Sequence, residues 1–155
     1  MNPQELGLLR ATTALRIQLL ESLSDADLAF ALPGNPTLGA LIREMGEHEG
    51  DYIESFRTLT HTWGVRPAEA GIETSVARLQ AWFADLDAEL EAVLTAIPES
   101  DFATKTVDRG DGFTPPLGGQ FHIFRAATLI FCAKVSVYLR AMGRLLTPQW
   151  QGWIG

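Results

Sequence analysis

Apolar residues recur every three or four positions over four long stretches of the chain, the spacing that gathers them on one face of a helix. In the first stretch the stripe is Leu8, Ala11, Leu15 and Leu19. Asn2 stands ahead of it as N-cap, with Pro3 at the first helical position and Glu5 at the third, and the run stops near Ser22. Ser24-Asp25-Ala26-Asp27 predicts one capped extra turn carrying Leu28 and Phe30, closed by Leu32-Pro33-Gly34-Asn35-Pro36. Thr37 caps a second helix whose stripe is Leu38, Leu41, Ile42, Met45, Tyr52, Phe56 and Leu59. The pattern breaks from His61 to Gly71. It returns in a third helix from about Thr74 to Ala96, with Val76, Leu79, Phe83, Leu86, Leu90, Val93 and Leu94 inward and Pro98 as terminator. Residues 99–119 are rich in Gly, Pro and Asp and predict a small hairpin around Asp108-Arg109-Gly110-Asp111-Gly112, because residues 104–107 have mild strand character. The fourth helix, Gln120 to Leu146, is apolar almost all round and is expected to be the most buried. A tail follows with Trp150 and Trp153.

Four long helices in 155 residues predict an all-α fold, a four-helix bundle forming a single domain over residues 1–155. The link between the second and third helices, about a dozen residues, is longer than an antiparallel connection needs. It permits a crossover that leaves those two helices parallel.

Composition narrows the function. Apolar residues make up 46% and charged residues 20%, ordinary globular usage that excludes a disordered chain. A net charge of −7 argues against nucleic acid and against anionic lipid as partners. A single cysteine, Cys132, excludes an internal disulfide framework and a thiolate-rich zinc site. The first ten residues carry no basic-then-apolar leader, and no uninterrupted apolar run approaches the roughly 18 residues of a membrane span. The expectation is a soluble cytoplasmic domain.

The chemistry starts from an interruption in the second stripe. Between Met45 and Tyr52, at the positions three and four residues after Met45, stand His48 and Glu49, and Glu44 lies one turn before His48. Polar groups there are either a solvated helix edge or a polar site inside the bundle, where buried charges need paired charges or a metal. On the fourth helix the polar residues are His122, Arg125, Thr128, Lys134, Ser136 and Arg140. Lys134, one turn after Phe131, either snorkels to the surface or pairs with a carboxylate. Cys132, with no histidine nearby in sequence, reads as a buried, inert thiol. Arg109-Gly110-Asp111 reads as a turn. No phosphate loop and no H-E-x-x-H occurs, since His48-Glu49 continues as Gly50-Asp51-Tyr52.

Three segments carry a family resemblance: LSDADLAFAL from Leu23 to Leu32, TLGALIREMGEHEGDYI from Thr37 to Ile53, and VSVYLRAMG from Val135 to Gly143. Together with helix order and loop lengths, the chain resembles the DinB-like family, four-helix bundles regarded as metalloenzymes and related to the YfiT and mycothiol-dependent isomerase groups. The resemblance implies three histidines holding a divalent metal, one from the second helix and two, four residues apart, from the last. Here the last-helix pair falls near Ala127 and Phe131, which cannot bind metal, and a one-residue slip gives Ala126 and Ile130, or Thr128 and Cys132, which is little better. The expectation is therefore a bundle with a degenerate metal site that binds a small molecule or acts as an interaction protein, with no cofactor. Glu44, His48, Glu49, Phe131 and Lys134 are the candidates to line its pocket, and Lys134 is expected to supply the positive charge of the missing metal to Glu44 or Glu49. No catalytic residue stands out. The alternative is a hydrolase or thiol-dependent transferase using divalent zinc or nickel, held by His48 with acidic ligands or His122. Family members often pair through bundle faces, and the tail tryptophans offer apolar area, so a homodimer is expected.

Overall fold

A computed structural model describes residues 1–110 and 112–155. The first helix, α1 (Pro3–Glu21), opens on a reciprocal cap: Asn2 accepts from the Glu5 N–H, and the Glu5 carboxylate accepts from the Asn2 N–H. A short turn, α2 (Asp25–Leu28), leads to α3 (Leu38–Thr58), capped by the Thr37 hydroxyl. A 3-10 turn (Ile72–Thr74) precedes α4 (Val76–Ala96). Then come α5 (Glu99–Thr104), α6 (Leu117–Ala141) and α7 (Pro148–Trp153).

Side-chain pairs fix the directions. Arg10 meets Glu91 and Arg16 meets Asp87, so α1 and α4 are antiparallel. Arg43 near the start of α3 meets Glu73, Gly46 meets Trp82, and Arg57 at the end of α3 meets Glu89. Helices α3 and α4 are therefore parallel, and the segment between them crosses back along α3. Ser55 meets Gln120 and His48 meets Phe131, so α6 runs against α3. Each of α1 and α3 packs on both α4 and α6, a square arrangement with α1 diagonal to α3.

The most buried long helix is α3, a correction to the expectation for the last one. Its apolar stripe is buried from Leu38 to Phe56. Its glycines let neighbours reach the backbone: a Cβ on Gly39 would lie 2.1 Å from the Glu73 carbonyl oxygen, and one on Gly46 would lie 2.3 Å from the Trp82 ring. Helix α6 instead leaves Ile130 (57%) and Val137 (53%) in solvent. By composition alone α6 is long and apolar enough to cross a bilayer, a property that a core helix of a bundle shares.

Boundaries shift where caps decide them. Pro116 starts α6 at Leu117, and Gly143, at φ 71°, follows its end at Ala141 rather than Leu146. Ser75 caps α4 at Val76, because Thr74 belongs to the 3-10 turn. The expected hairpin forms no strand among the described residues. Isolated bridges pair Thr106 with Pro116 and Thr60 with Asp108, and its central Asp111 lies outside the described residues. The tail folds back: Trp150 is buried, and its indole N–H donates to the Leu15 carbonyl at 2.9 Å.

Candidate functional site

The crossover segment builds one wall of the site. Asp51, buried on α3, accepts from the backbone N–H groups of Gly64, Val65 and Arg66 at 2.7, 3.0 and 3.3 Å. Glu47 accepts from the Ala68 N–H at 3.1 Å. Two acids one turn apart thus lace the loop to the helix and set Trp63 over His48. Their ring centroids are 4.6 Å apart.

His48 faces α6. Its ring meets Phe131 edge-on at 5.0 Å, and its Nε2 lies 3.9 Å from a Glu44 carboxylate oxygen. Beside them a cleft of about 300 Å³ is lined by Asn35, Pro36, Leu41, Glu44, Lys134 and Tyr138. The Tyr138 hydroxyl is held by donating to the Pro36 carbonyl at 2.9 Å. The structure therefore brings together Glu44, His48, Phe131 and Lys134.

Glu49 goes elsewhere. One residue past His48 turns it about 100° around the helix, toward α1 and α4. There it is buried and bonded to Arg16, whose other amino group bonds Asp87 at 2.5 Å. Arg16 is itself buried, with its guanidinium 4.0 Å over the Phe83 ring. Burial first, opposed by Arg16 and reinforced by Asp87, pushes the Glu49 carboxyl up to about 7. The expected replacement of a metal by Lys134 is thereby corrected. Among the described residues no carboxylate oxygen lies within 4 Å of the Lys134 ammonium, which sits exposed, 4.9 Å over the Phe131 ring. The long stem lets Lys134 reach water, and the inward cation is Arg16, one turn of α1 that the sequence pattern hid among its apolar neighbours.

A second group lies along the same α3–α6 seam. Arg109 donates to the Gln120 side-chain oxygen at 2.8 Å, and the Gln120 amide nitrogen donates to the Ser55 hydroxyl at 2.9 Å. That orientation turns the amide nitrogen toward His61 Nδ1, 3.4 Å away. Nδ1 then accepts, and the proton of the neutral ring sits on Nε2. His61 packs between Tyr52 and Trp63, with ring centroids at 4.7 and 4.2 Å. Burial, followed by the charge of Arg109, lowers its pKa to about 4. The sequence offered no sign of this group, because His61 lies in a broken pattern and Arg109 in a turn.

The His61 shift sets a pH dependence. A neutral buried imidazole whose folded pKa is depressed adds stability that is present above about 6.5 and lost as pH falls through about 4. His61→Gln is expected to remove that loss, so that urea midpoints of the variant rise relative to the parent's as pH falls across the interval.

Cys132 is buried, and burial pushes its thiol up to about 12, so no thiolate is at hand. His122 is exposed on the outer face of α6, away from the cleft. Tested as a divalent-metal site, the seam does not fit: Ala127 and Phe131 offer no lone pair, and among the described residues no three His, Cys, Asp or Glu side chains converge.

A bundle with a parallel crossover pair and a polar niche between its second and last long helices belongs to the class whose sites are built from facing helices. The chain is a member of the DinB superfamily, whose family model matches residues 8–125. That stretch covers α1 to the first part of α6 and stops short of Ala127 and Phe131. No curated protein matches the chain.

Proposed function

We infer that this DinB-superfamily protein binds a small molecule in the cleft between α3 and α6 and does so without a metal. The observation that carries the reading is the packing of Phe131 against His48. An aromatic ring and Ala127 take the two places where the resemblance implies donors, while Glu44 and Lys134 still line an open cleft beside them. Such a niche recognises a ligand through an apolar body and a few polar groups. A metal-dependent hydrolase or transferase would need ligands from a second helix, and α6 supplies none at these positions.

Trp63, 52% exposed and tilted against His48, is the natural reporter. A fragment library read by tryptophan fluorescence is expected to give saturable hits that Lys134→Phe, filling the cleft from its exposed rim, abolishes. Hits that survive Lys134→Phe unchanged contradict this assignment of the cleft.

The protein is further proposed to pair with a second copy through α6, whose Ala126, Ile130, Ala133 and Val137 form a solvent-facing stripe. About a two-fold axis, antiparallel helices would set Ala126 against Val137 and Ala133 against Ile130, small against large. Light scattering is expected to give a dimer mass that Ile130→Arg converts to a monomer mass.

A further inference from the structure

At the end of the α3–α6 seam away from the cleft, one side-chain amide fixes the direction of a run of hydrogen bonds. Gln120 is fully buried. Its oxygen accepts from Arg109 and its nitrogen donates to the Ser55 hydroxyl, which donates in turn to the Tyr52 carbonyl at 2.7 Å. The same nitrogen faces His61 Nδ1, so the His61 proton is on Nε2. His61 is 7% exposed, and its Nε2 is buried with no partner. Buried polar groups of this kind are normally satisfied. The run therefore ends on an N–H that lacks an acceptor.

Charge points the same way. Of the twelve Lys and Arg side chains, eight pair with a carboxylate among the described residues. Arg109 is half-buried and is not one of them. Its guanidinium lies 5.5 Å from the Tyr52 ring centroid and 5.8 Å from that of Trp63. Neighbouring carboxylates have other partners. Asp51, whose charge reaches the His61 ring, is held by the backbone N–H groups of Gly64, Val65 and Arg66, and Asp108 accepts from the Gly110 N–H. Tyr52 keeps its hydroxyl proton, because burial raises its pKa against the opposing charge of Arg109. Arg109, His61 and Tyr52 thus bring together a positive charge and hydrogen-bond donors, with no carboxylate to match them among the described residues.

We propose that this end of the seam is a second ligand site, for a small carboxylate carrying a flat apolar group. A carboxylate supplies the missing charge and two accepting oxygens, the pairing that a guanidinium holds best. One oxygen would take the free edge of Arg109 and the other the Nε2–H of His61, with the half-exposed Trp63 indole turned aside from the imidazole and laid on the apolar group. An ammonium ion would meet a cation and donors. A neutral molecule of the same shape would leave the Arg109 charge unmatched.

The probes are benzoate, its neutral isostere benzamide, and inorganic phosphate, each titrated into the full-length 15N-labelled chain at pH 7. Benzoate is expected to saturate with a Kd below about 1 mM, with benzamide and phosphate at least about tenfold weaker. The shifts should centre on the Trp63 indole N–H, the Gln120 side-chain amide and the amides around His61. Arg109→Gln is expected to weaken benzoate at least about tenfold and to leave benzamide unchanged. Asp111→Asn, two residues further along the same turn, is expected to leave benzoate within about twofold of the parent. The parent chain alone can overturn the proposal: benzamide or phosphate binding as tightly as benzoate does so, as does benzoate that gives no saturable shift below about 10 mM. Shifts confined to Lys134 and Tyr138 would put the carboxylate in the cleft, overturning this site and leaving the cleft assignment standing. Benzoate binding to Arg109→Gln as well as to the parent overturns it too, and so does a tenfold gain in Asp111→Asn, which would mean that the chain's own carboxylate already fills the place.

Discussion

Arg16→Met is expected to cost about 3–5 kcal/mol at pH 8, the range for breaking a buried ion pair by removing one partner. The residue left behind is Glu49, buried and deprived of the cation that pairs with it, with Asp87 nearby as a second negative charge. The cost should shrink at pH 5, where the Glu49 carboxyl, at about 7 in the parent chain, is protonated. In the parent itself the raised pKa has a defined sign. Stability from Glu49 is complete below its ordinary 4.5 and is lost as pH rises through about 7, because the unfolded chain ionises first. That slope opposes the one from His61, which loses stability as pH falls from about 6.5 to about 4. The parent chain should therefore show a flat stability profile between these values. Glu49→Gln should unmask the histidine slope and His61→Gln the carboxyl slope. Urea denaturation of the three proteins across pH 4–8 measures all of this.

Trp150→Ala is expected to cost about 3–5 kcal/mol, the usual loss for emptying a buried aromatic site. The indole is 2% exposed and its N–H is spent on the Leu15 carbonyl, in the middle of α1. Its neighbours anchor the same turn: Gln149 donates to the Ala11 carbonyl at 2.7 Å, and Gln18 donates to Gln149 at 2.7 Å. The tail is thus a clasp on α1 and part of the bundle's own core, which leaves Trp153, at 43% exposure, as the tail tryptophan facing solvent. Chemical denaturation of Trp150→Ala measures the loss directly. A change below about 1 kcal/mol, the level of an ordinary surface substitution, would contradict the clasp.

The helices were legible because their information is local. Asn2 with Glu5, and Thr37, are caps that act within one turn, and the stripes of the second and third helices are mostly buried, whereas the first helix buries Leu9, Leu15 and Leu19 and leaves Leu8 and Ala11 half-buried. The crossover was legible from loop length alone. The exposure of Ile130 and Val137 was not, because an all-round apolar helix looks the same whether a neighbour covers it or not. At the site, the stripe break exposed His48 and Glu44, but it could not separate His48 from Glu49. Adjacent residues point to different neighbours, and only the arrangement of α1, α4 and α6 decides which. Arg16 and Asp87 were invisible for the same reason: on their own helices each reads as a surface charge, and their meaning lies in a contact between residues far apart in sequence. His61, Arg109 and Gln120 meet through a loop, a turn and a helix start, where no periodicity applies.

The proposed niche has Phe131 where the resemblance implies a metal ligand. The most direct measurement is the metal content of tag-free protein by mass spectrometry, followed by calorimetric titration with zinc and nickel. The expected result is metal well below one equivalent and no saturable binding that His48→Ala removes. One equivalent of zinc or nickel copurifying with the chain, and lost in His48→Ala, would contradict it.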